Sequence, residues 1–206
     1  MILIDAGPDF RAQVLKNKIK RIDSILLTHC HFDHVAGLDD IRPFNKLCGR
    51  ISVWGSAETI NVLKKRLDYY ENPVQTGGGI PQVEWKIING PFEISELKII
   101  PLPAKHGIEP VLGYRIKDFA YLTDVSFVPD STKELMKDLS CLVLGAIRFK
   151  EHPTHFNLEQ ALSFINEIKP QKTFLTHITD AFDHRKVNRI LPSNIKLGYD
   201  GLKILV

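Results

Sequence analysis

Thr28-His29-Cys30-His31-Phe32-Asp33-His34 places three imidazoles and a carboxylate within a few residues, directly after the apolar run Ser24-Ile25-Leu26-Leu27. Short and β-capable, that run predicts a buried strand whose end delivers the cluster. Side chains two apart share a face in extended backbone, so His29 and His31 project together while Cys30 and Phe32 turn the other way. Asp33 and His34, adjacent and followed by Val35-Ala36-Gly37, need a turn to face inward and then serve a second point close to the first. So many ionisable groups at the end of a buried strand are unfavourable unless something binds them. The pattern predicts a metal site. Imidazole and carboxylate donors suit zinc, manganese, nickel or iron, and the lack of thiolates other than Cys30 argues against a closed structural zinc site.

Around this stretch the bulk properties are those of a water-soluble globular chain. The 206 residues are the size of a single domain, 1–206, and 44% hydrophobic with 25% charged residues is ordinary for that class. A net charge of +3, with no basic run longer than Lys64-Lys65-Arg66, gives no indication of a nucleic-acid partner; the triplet reads as a solvated helix face. No apolar run is long enough to span a bilayer, and Met1-Ile2-Leu3-Ile4-Asp5 lacks the basic segment and length of a signal peptide, so the reading is a cytoplasmic protein without membrane contact. Cys30, Cys48 and Cys141 form an odd set without a CxxC pair, which fits reduced thiols.

The chain opens on a strand pattern, Ile2-Leu3-Ile4-Asp5, and a turn at Ala6-Gly7-Pro8; a helical period at Phe10, Val14 and Leu15 then leads to the ligand strand, completing a β-α-β unit. Residues 37–47 predict a short helix interrupted by Pro43, and Ser56 caps a helix through about Tyr70. Residues 72–82, with Gly77-Gly78-Gly79, predict a loop, either a mobile flap or a solvent loop between halves. Strand patterns at 83–88, 97–102, 111–116 and 119–123 without an intervening helix predict an antiparallel meander. A helix from Pro129 to about Leu139, a buried strand at 141–144, a helix at 158–168 capped by Asn157, a strand at 173–176, a helix at 185–191 and closing strands at 195–199 and 202–205 complete the pattern. Two sheets packed face to face with helices outside is the simplest architecture for it.

Further donors are expected just past strands, where loops carry chemistry over a rigid sheet. His106 in Ala104-Lys105-His106-Gly107, Asp124 in Tyr121-Leu122-Thr123-Asp124, and His177 in Phe174-Leu175-Thr176-His177 meet that condition. A second histidine concentration, His152-Pro153-Thr154-His155, follows another strand and predicts a substrate-side loop. His155 sits just before the helix start at Asn157, where backbone N–H groups can hold an anion, and it is the candidate proton donor to a leaving oxygen. His152 is read as a supporting or solvent residue and Arg148 as a phosphate contact.

His29-x-His31-x-Asp33-His34 together with His106, Asp124 and His177, after Ile4-Asp5-Ala6-Gly7, resembles the metallo-β-lactamase superfamily of binuclear hydrolases over nearly the whole chain. Gly37-Leu38-Asp39-Asp40-Ile41-Arg42-Pro43-Phe44, Leu122-Thr123-Asp124-Val125, His152-Pro153-Thr154-His155 and Tyr199-Asp200-Gly201-Leu202 resemble the branch that contains the phosphoribosyl cyclic phosphodiesterase of phosphonate metabolism. The resemblance implies an α/β fold, a four-layer αββα sandwich of two mixed sheets. It also implies two divalent transition-metal ions, zinc or manganese before nickel or iron. His29, His31 and His106 would hold one, Asp33, His34 and His177 the other, with Asp124 bridging and Asp5 orienting the ligand loop from behind. The chain departs from the branch in lacking the opening strands and the cysteine cluster that precede Ile2, and in carrying Asp180 where relatives place a further zinc-binding histidine. No separate structural zinc is therefore expected, and the short sheet edge is open to pairing with a second copy of the chain.

These readings predict a binuclear metal-dependent hydrolase of a small phosphorylated substrate, a phosphodiesterase acting on linear or cyclic diesters, with His155 and Asp33 as its catalytic side chains. The rivals are a lactone, thioester or carboxyl-ester hydrolase on the same site and a truncated, inactive metal-binding protein.

Overall fold

Parallel pairing of short apolar strands builds the first half of the chain in the computed structural model, which describes residues 1–74 and 79–205. The chain divides into two compact units, Met1–Asn89 and Gly90–Val206. In the first, β1 (Ile2–Ile4), β2 (Ser24–Leu26), β3 (Ile51–Gly55) and β4 (Val83–Ile87) form a sheet in the order β1-β2-β3-β4, with every pair parallel. Parallel neighbours require crossovers. These are α1 (Phe10–Lys16); then α2 (Phe32–Val35), a 3-10 segment (Ala36–Ile41) and α3 (Arg42–Cys48); and finally α4 (Ala57–Arg66) with the 3-10 turn Asp68–Tyr70. Every residue of β2 is buried, as a strand inside a parallel sheet demands. Its Ile25 joins Ile22, Leu27, Leu38, Ile41 and Val53 in the core of this unit. The Ser56 hydroxyl accepts from the Thr59 N–H at 3.1 Å and fixes the start of α4.

The second unit carries a seven-stranded sheet in the order β11-β10-β9-β8-β7-β6-β5. Its strands are β5 (Phe92–Ile94), β6 (Leu97–His106), β7 (Glu109–Ile116), β8 (Phe119–Leu122), β9 (Cys141–Gly145), β10 (Lys172–Thr176) and β11 (Ile195–Leu197). β5 to β8 are an antiparallel meander, and β8 to β11 are parallel, linked by α5 (Asp130–Glu134), α6 (Leu158–Ile168) and α7 (His184–Ile190). Leu158, Ala161, Phe164 and Ile165 line the buried face of α6 at helical spacing. Asn157 and Gln160 close a reciprocal capping box at its start.

Two β-sheets flanked by helices is the α/β architecture the sequence predicts, and several details differ. The first sheet is entirely parallel rather than mixed. Strand 83–87 belongs to it, not to the meander, because α4 and its following turn carry the chain back into parallel register beside β3. Pro43 does not interrupt a helix: it lies in the first turn of α3, where a missing N–H costs nothing. Residues 202–205 form no strand, the chain turning back through Leu202 N–H to Tyr199 C=O. Of the expected flap, Gly77 and Gly78 lie outside the described residues.

Candidate metal centre

In the first unit the ligand cluster begins past the end of β2, and α2 supplies the turn that Asp33 and His34 require. The His29 ring centroid lies 4.4 Å from that of His31 and 4.2 Å from that of His34, so all three imidazoles gather, with His29 and His34 buried. His34 Nε2 faces Asp33 Oδ2 at 3.2 Å. Behind them Asp5 accepts from the Thr28 N–H at 2.8 Å and the Thr28 hydroxyl at 2.8 Å, and meets His34 Nδ1 at 2.7 Å. Burial pushes the Asp5 carboxyl above its ordinary value, and hydrogen bonds from His34 and Thr28 pull it back. As a carboxylate it only accepts, and His34 would then carry its proton on Nδ1 and turn Nε2 toward a metal.

Two glycines permit this closeness. A Cβ on Gly7 would lie 2.3 Å from the Asp33 carbonyl oxygen, and one on Gly37 would lie 2.4 Å from the Gly7 carbonyl oxygen. With both side chains absent, Ala6 N–H reaches His34 C=O at 2.7 Å and Gly37 N–H reaches Ala6 C=O at 2.8 Å, locking the Asp5 turn onto the ligand turn. Arg66 adds a contact that the sequence reading missed. Rather than only solvating its helix face, its guanidinium donates to the Cys30 carbonyl at 2.6 Å and ties α4 to the ligand loop.

In the second unit His106 ends β6, Asp124 follows β8 and His177 follows β10. Asp124 is buried; its Oδ2 accepts from the Thr123 hydroxyl at 2.8 Å while Oδ1 faces His177 Nε2 at 3.1 Å and His155 Nδ1 at 3.5 Å. One donor atom from each of His106, Asp124 and His155 lies within 4.8 Å of the others. Imidazole and carboxylate donors at that spacing fit a divalent transition-metal ion, as do those of the first unit.

The loop after β9 carries the second histidine group. The His155 ring lies 4.4 Å from His106, 4.9 Å from His152 and 5.0 Å from His177, stacked on the last. Burial pushes His155 down to about 4, against the pull of Asp124 and assisted by the three neighbouring histidines, so the ring is neutral at pH 7. His152 is lowered as well, first by burial, then by Arg148 and His106, and its Nδ1 accepts from the Thr154 N–H at 3.3 Å.

Arg148 braces its own loop, its guanidinium donating to the carbonyls of Lys150 at 3.2 Å and Glu151 at 2.7 Å. One expectation for this loop needs correction: the N–H groups of Asn157, Leu158 and Gln160 at the start of α6 already bond to Gln160 Oε1, Arg148 C=O and Asn157 Oδ1 and are not open to an anion. An open cleft of about 1400 Å³ in the first unit, lined among others by Phe10, Val14, Phe44 and Tyr70, contains none of the candidate donors.

A family model described as a beta-lactamase superfamily domain matches residues 1–178. The chain is 37% identical over 213 residues to the octanoyltransferase of Porphyromonas gingivalis, an alignment that takes in 100% of this chain and 42% of that protein. It is 32% identical over 122 residues to the ribonuclease Z of Bacillus licheniformis, covering 56% of this chain and 38% of that protein. The chain thus spans less than half the length of either of these curated relatives. A crystal structure described as a new diphosphatase from the PhnP family matches with a TM-score of 0.92 at 39% identity, covering 100% of this chain and 79% of that one. With imidazoles and carboxylates gathered at the strand ends of each unit, and the family model spanning most of its length, the chain belongs to the metallo-β-lactamase superfamily of metal-dependent hydrolases, in its PhnP-like branch.

Proposed function

We propose that this chain hydrolyses a phosphodiester or diphosphate linkage in a small phosphorylated substrate. In this reading His29, His31 and His106 hold one divalent ion, Asp33, His34 and His177 a second, and Asp124 is shared. The observation that carries it is the match, at 39% identity over the full chain, to a structure described as a diphosphatase. The joining of the two donor sets rests on family membership, and zinc or manganese suits their chemistry. When bound, the ions supply Lewis acidity and lower the pKa of water they hold. The protein's own contribution is orientation and proton transfer. Asp5 fixes the His34 tautomer, Thr123 fixes the Asp124 carboxylate, and His155 stands beside Asp124 to protonate the leaving oxygen. Neutral in the free protein, His155 gains proton affinity when an anionic phosphoryl group lies against it.

A second reading is favoured by the Porphyromonas relative, whose name denotes transfer of an octanoyl group and whose sequence aligns with all of this chain. On that reading the same donors serve cleavage of an acyl thioester or ester. One screen separates the two: protein loaded with zinc or manganese is assayed against cyclic phosphates, linear phosphodiesters, diphosphates and octanoyl thioesters. Turnover of the phosphorus substrates is expected, and turnover of the thioester alone would replace the first reading by the second.

A further inference from the structure

The segment 146–156 is fastened to all three donor-bearing turns of the second unit. His106 Nδ1 meets the Thr154 carbonyl at 2.7 Å, Phe156 N–H donates to Val125 C=O beside Asp124 at 2.6 Å, and Ala146 N–H donates to Thr176 C=O beside His177 at 3.0 Å. Thr179 N–H donates to Ile147 C=O at 3.0 Å from the far side of His177. A carbonyl oxygen only accepts, so the bond to Thr154 requires the His106 proton on Nδ1 and leaves the Nε2 lone pair for a metal. The same loop carries His155. Gly107 makes the closest part of this seam possible: its φ is +63°, and a Cβ there would lie 2.8 Å from Thr154 Cγ2. Its N–H donates to Ser126 Oγ at 2.8 Å, so the turn cannot back away freely.

We propose that Gly107 and the Thr154 carbonyl are positioning groups that couple metal binding at His106 to order in the loop carrying His155. This rests on the metal-centre reading above. A metal drawn to His106 favours the ring orientation in which Nδ1 donates to Thr154, and that bond holds the loop. Conversely, a loop held in place pre-sets the ring for the metal. Coupling of this kind is reciprocal, so the factor by which metal orders the loop equals the factor by which loop order tightens metal.

The test uses zinc alone as the probe and native-state trypsin as the reporter. Lys150 is exposed within the loop, while Lys20, exposed in the first unit, serves as a control for general stabilisation. Zinc should slow cleavage after Lys150 by about 5- to 150-fold, and by more than it slows cleavage after Lys20. Gly107→Ala forces the Thr154 side chain to turn; it should weaken zinc binding about 10- to 100-fold and abolish the selective protection. Adding Thr154→Ser removes the obstructing methyl but not the left-handed strain of an alanine at this φ, so both readouts should return part of the way to wild type, which a general folding defect would not do. Should the Gly107 variant fail to fold, side-chain nitrogen NMR of the wild-type protein decides, with His106 expected as the Nδ1–H tautomer. Zinc bound without selective protection, or a His106 Nε2–H tautomer, overturns the coupling while leaving the metal centre standing. Absence of zinc binding overturns the metal-centre reading itself, and the coupling with it.

Discussion

Asp5, Asp124 and His177 share a left-handed backbone, with φ of 58°, 51° and 54°, and each lies one or two residues past the end of a strand. An L side chain in that region costs on the order of 1 kcal/mol or more, and such positions gather where a side chain must be aimed rather than where packing is easiest. For Asp5 the gain is a carboxylate that reaches Thr28 and His34 at once. Asp5→Ala should therefore lower metal affinity about 10- to 100-fold, measured by competition with a chelator, with the folded circular-dichroism spectrum retained. Equal affinity for mutant and wild type would remove Asp5 from the site. His155 makes a different prediction, because it stands near both Asp124 and His106 without following a strand directly. His155→Ala should reduce turnover by about 100-fold or more while leaving the metal content at that of wild type; parallel loss of metal would make the ring a ligand.

At the scale of elements, most strands and the caps of α4 and α6 were legible in the sequence because their signals are local, whereas β5 was not expected and the strand expected at 202–205 does not form. The apolar run before His29, Ser56 ahead of α4 and Asn157 ahead of α6 each act within four residues, and each stands where the pattern predicts. What was not legible depends on partners distant in sequence: the parallel register of β4, the Arg66 contact to Cys30, and Arg148 bracing its own loop. The left-handed turns belong with these, since nothing in Ile4-Asp5-Ala6 announces a positive φ. The candidate donors could be read because histidine and aspartate are costly at strand ends without a ligand, whereas the hydrogen bonds that orient them are made by ordinary threonines and carbonyls. Asp183 gives the element-level prediction. It caps α7 by accepting from the N–H groups of Arg185 at 3.1 Å and Lys186 at 2.9 Å, and these bonds hold its carboxyl below the usual range. A depressed carboxylate stabilises the fold above its unfolded pKa of about 3.9, and that contribution is lost as pH falls through the lower folded value. Asp183→Ala should lower the melting temperature by about 2 to 4 °C at pH 7 and by less at pH 3. Asp183→Asn, which keeps an acceptor oxygen but no charge, should fall between wild type and the alanine variant at pH 7 and approach wild type at pH 3. A deficit in the alanine variant that is just as large at pH 3 would show that ionisation is not what the cap uses.

For the whole molecule the decisive quantity is how many ions one chain binds. Each unit closes its own core, one around Ile25, Leu38 and Val53, the other around Leu122, Leu142 and Leu175, so removal of metal should leave a folded protein. Its stability should nevertheless fall, because ligands that bind only the native state stabilise it by mass action. At free metal about 100 times the dissociation constant that contribution is about 2.7 kcal/mol per site, equivalent to roughly 5 to 10 °C for a chain of this size. A chelator should lower the melting temperature by at least that much, and restored zinc or manganese should recover it. The donor sets then predict how stoichiometry breaks down. If the family's pattern joins the two units, His31→Ala and His177→Ala each remove one of two ions. On that pattern Asp124→Ala should weaken both, because the carboxylate would be shared between them. Elemental analysis after gel filtration reads the result directly. Two ions retained by Asp124→Ala would rule out a bridging role, and a single ion in the wild-type chain, lost with His177→Ala but not with His31→Ala, would confine the centre to the second unit.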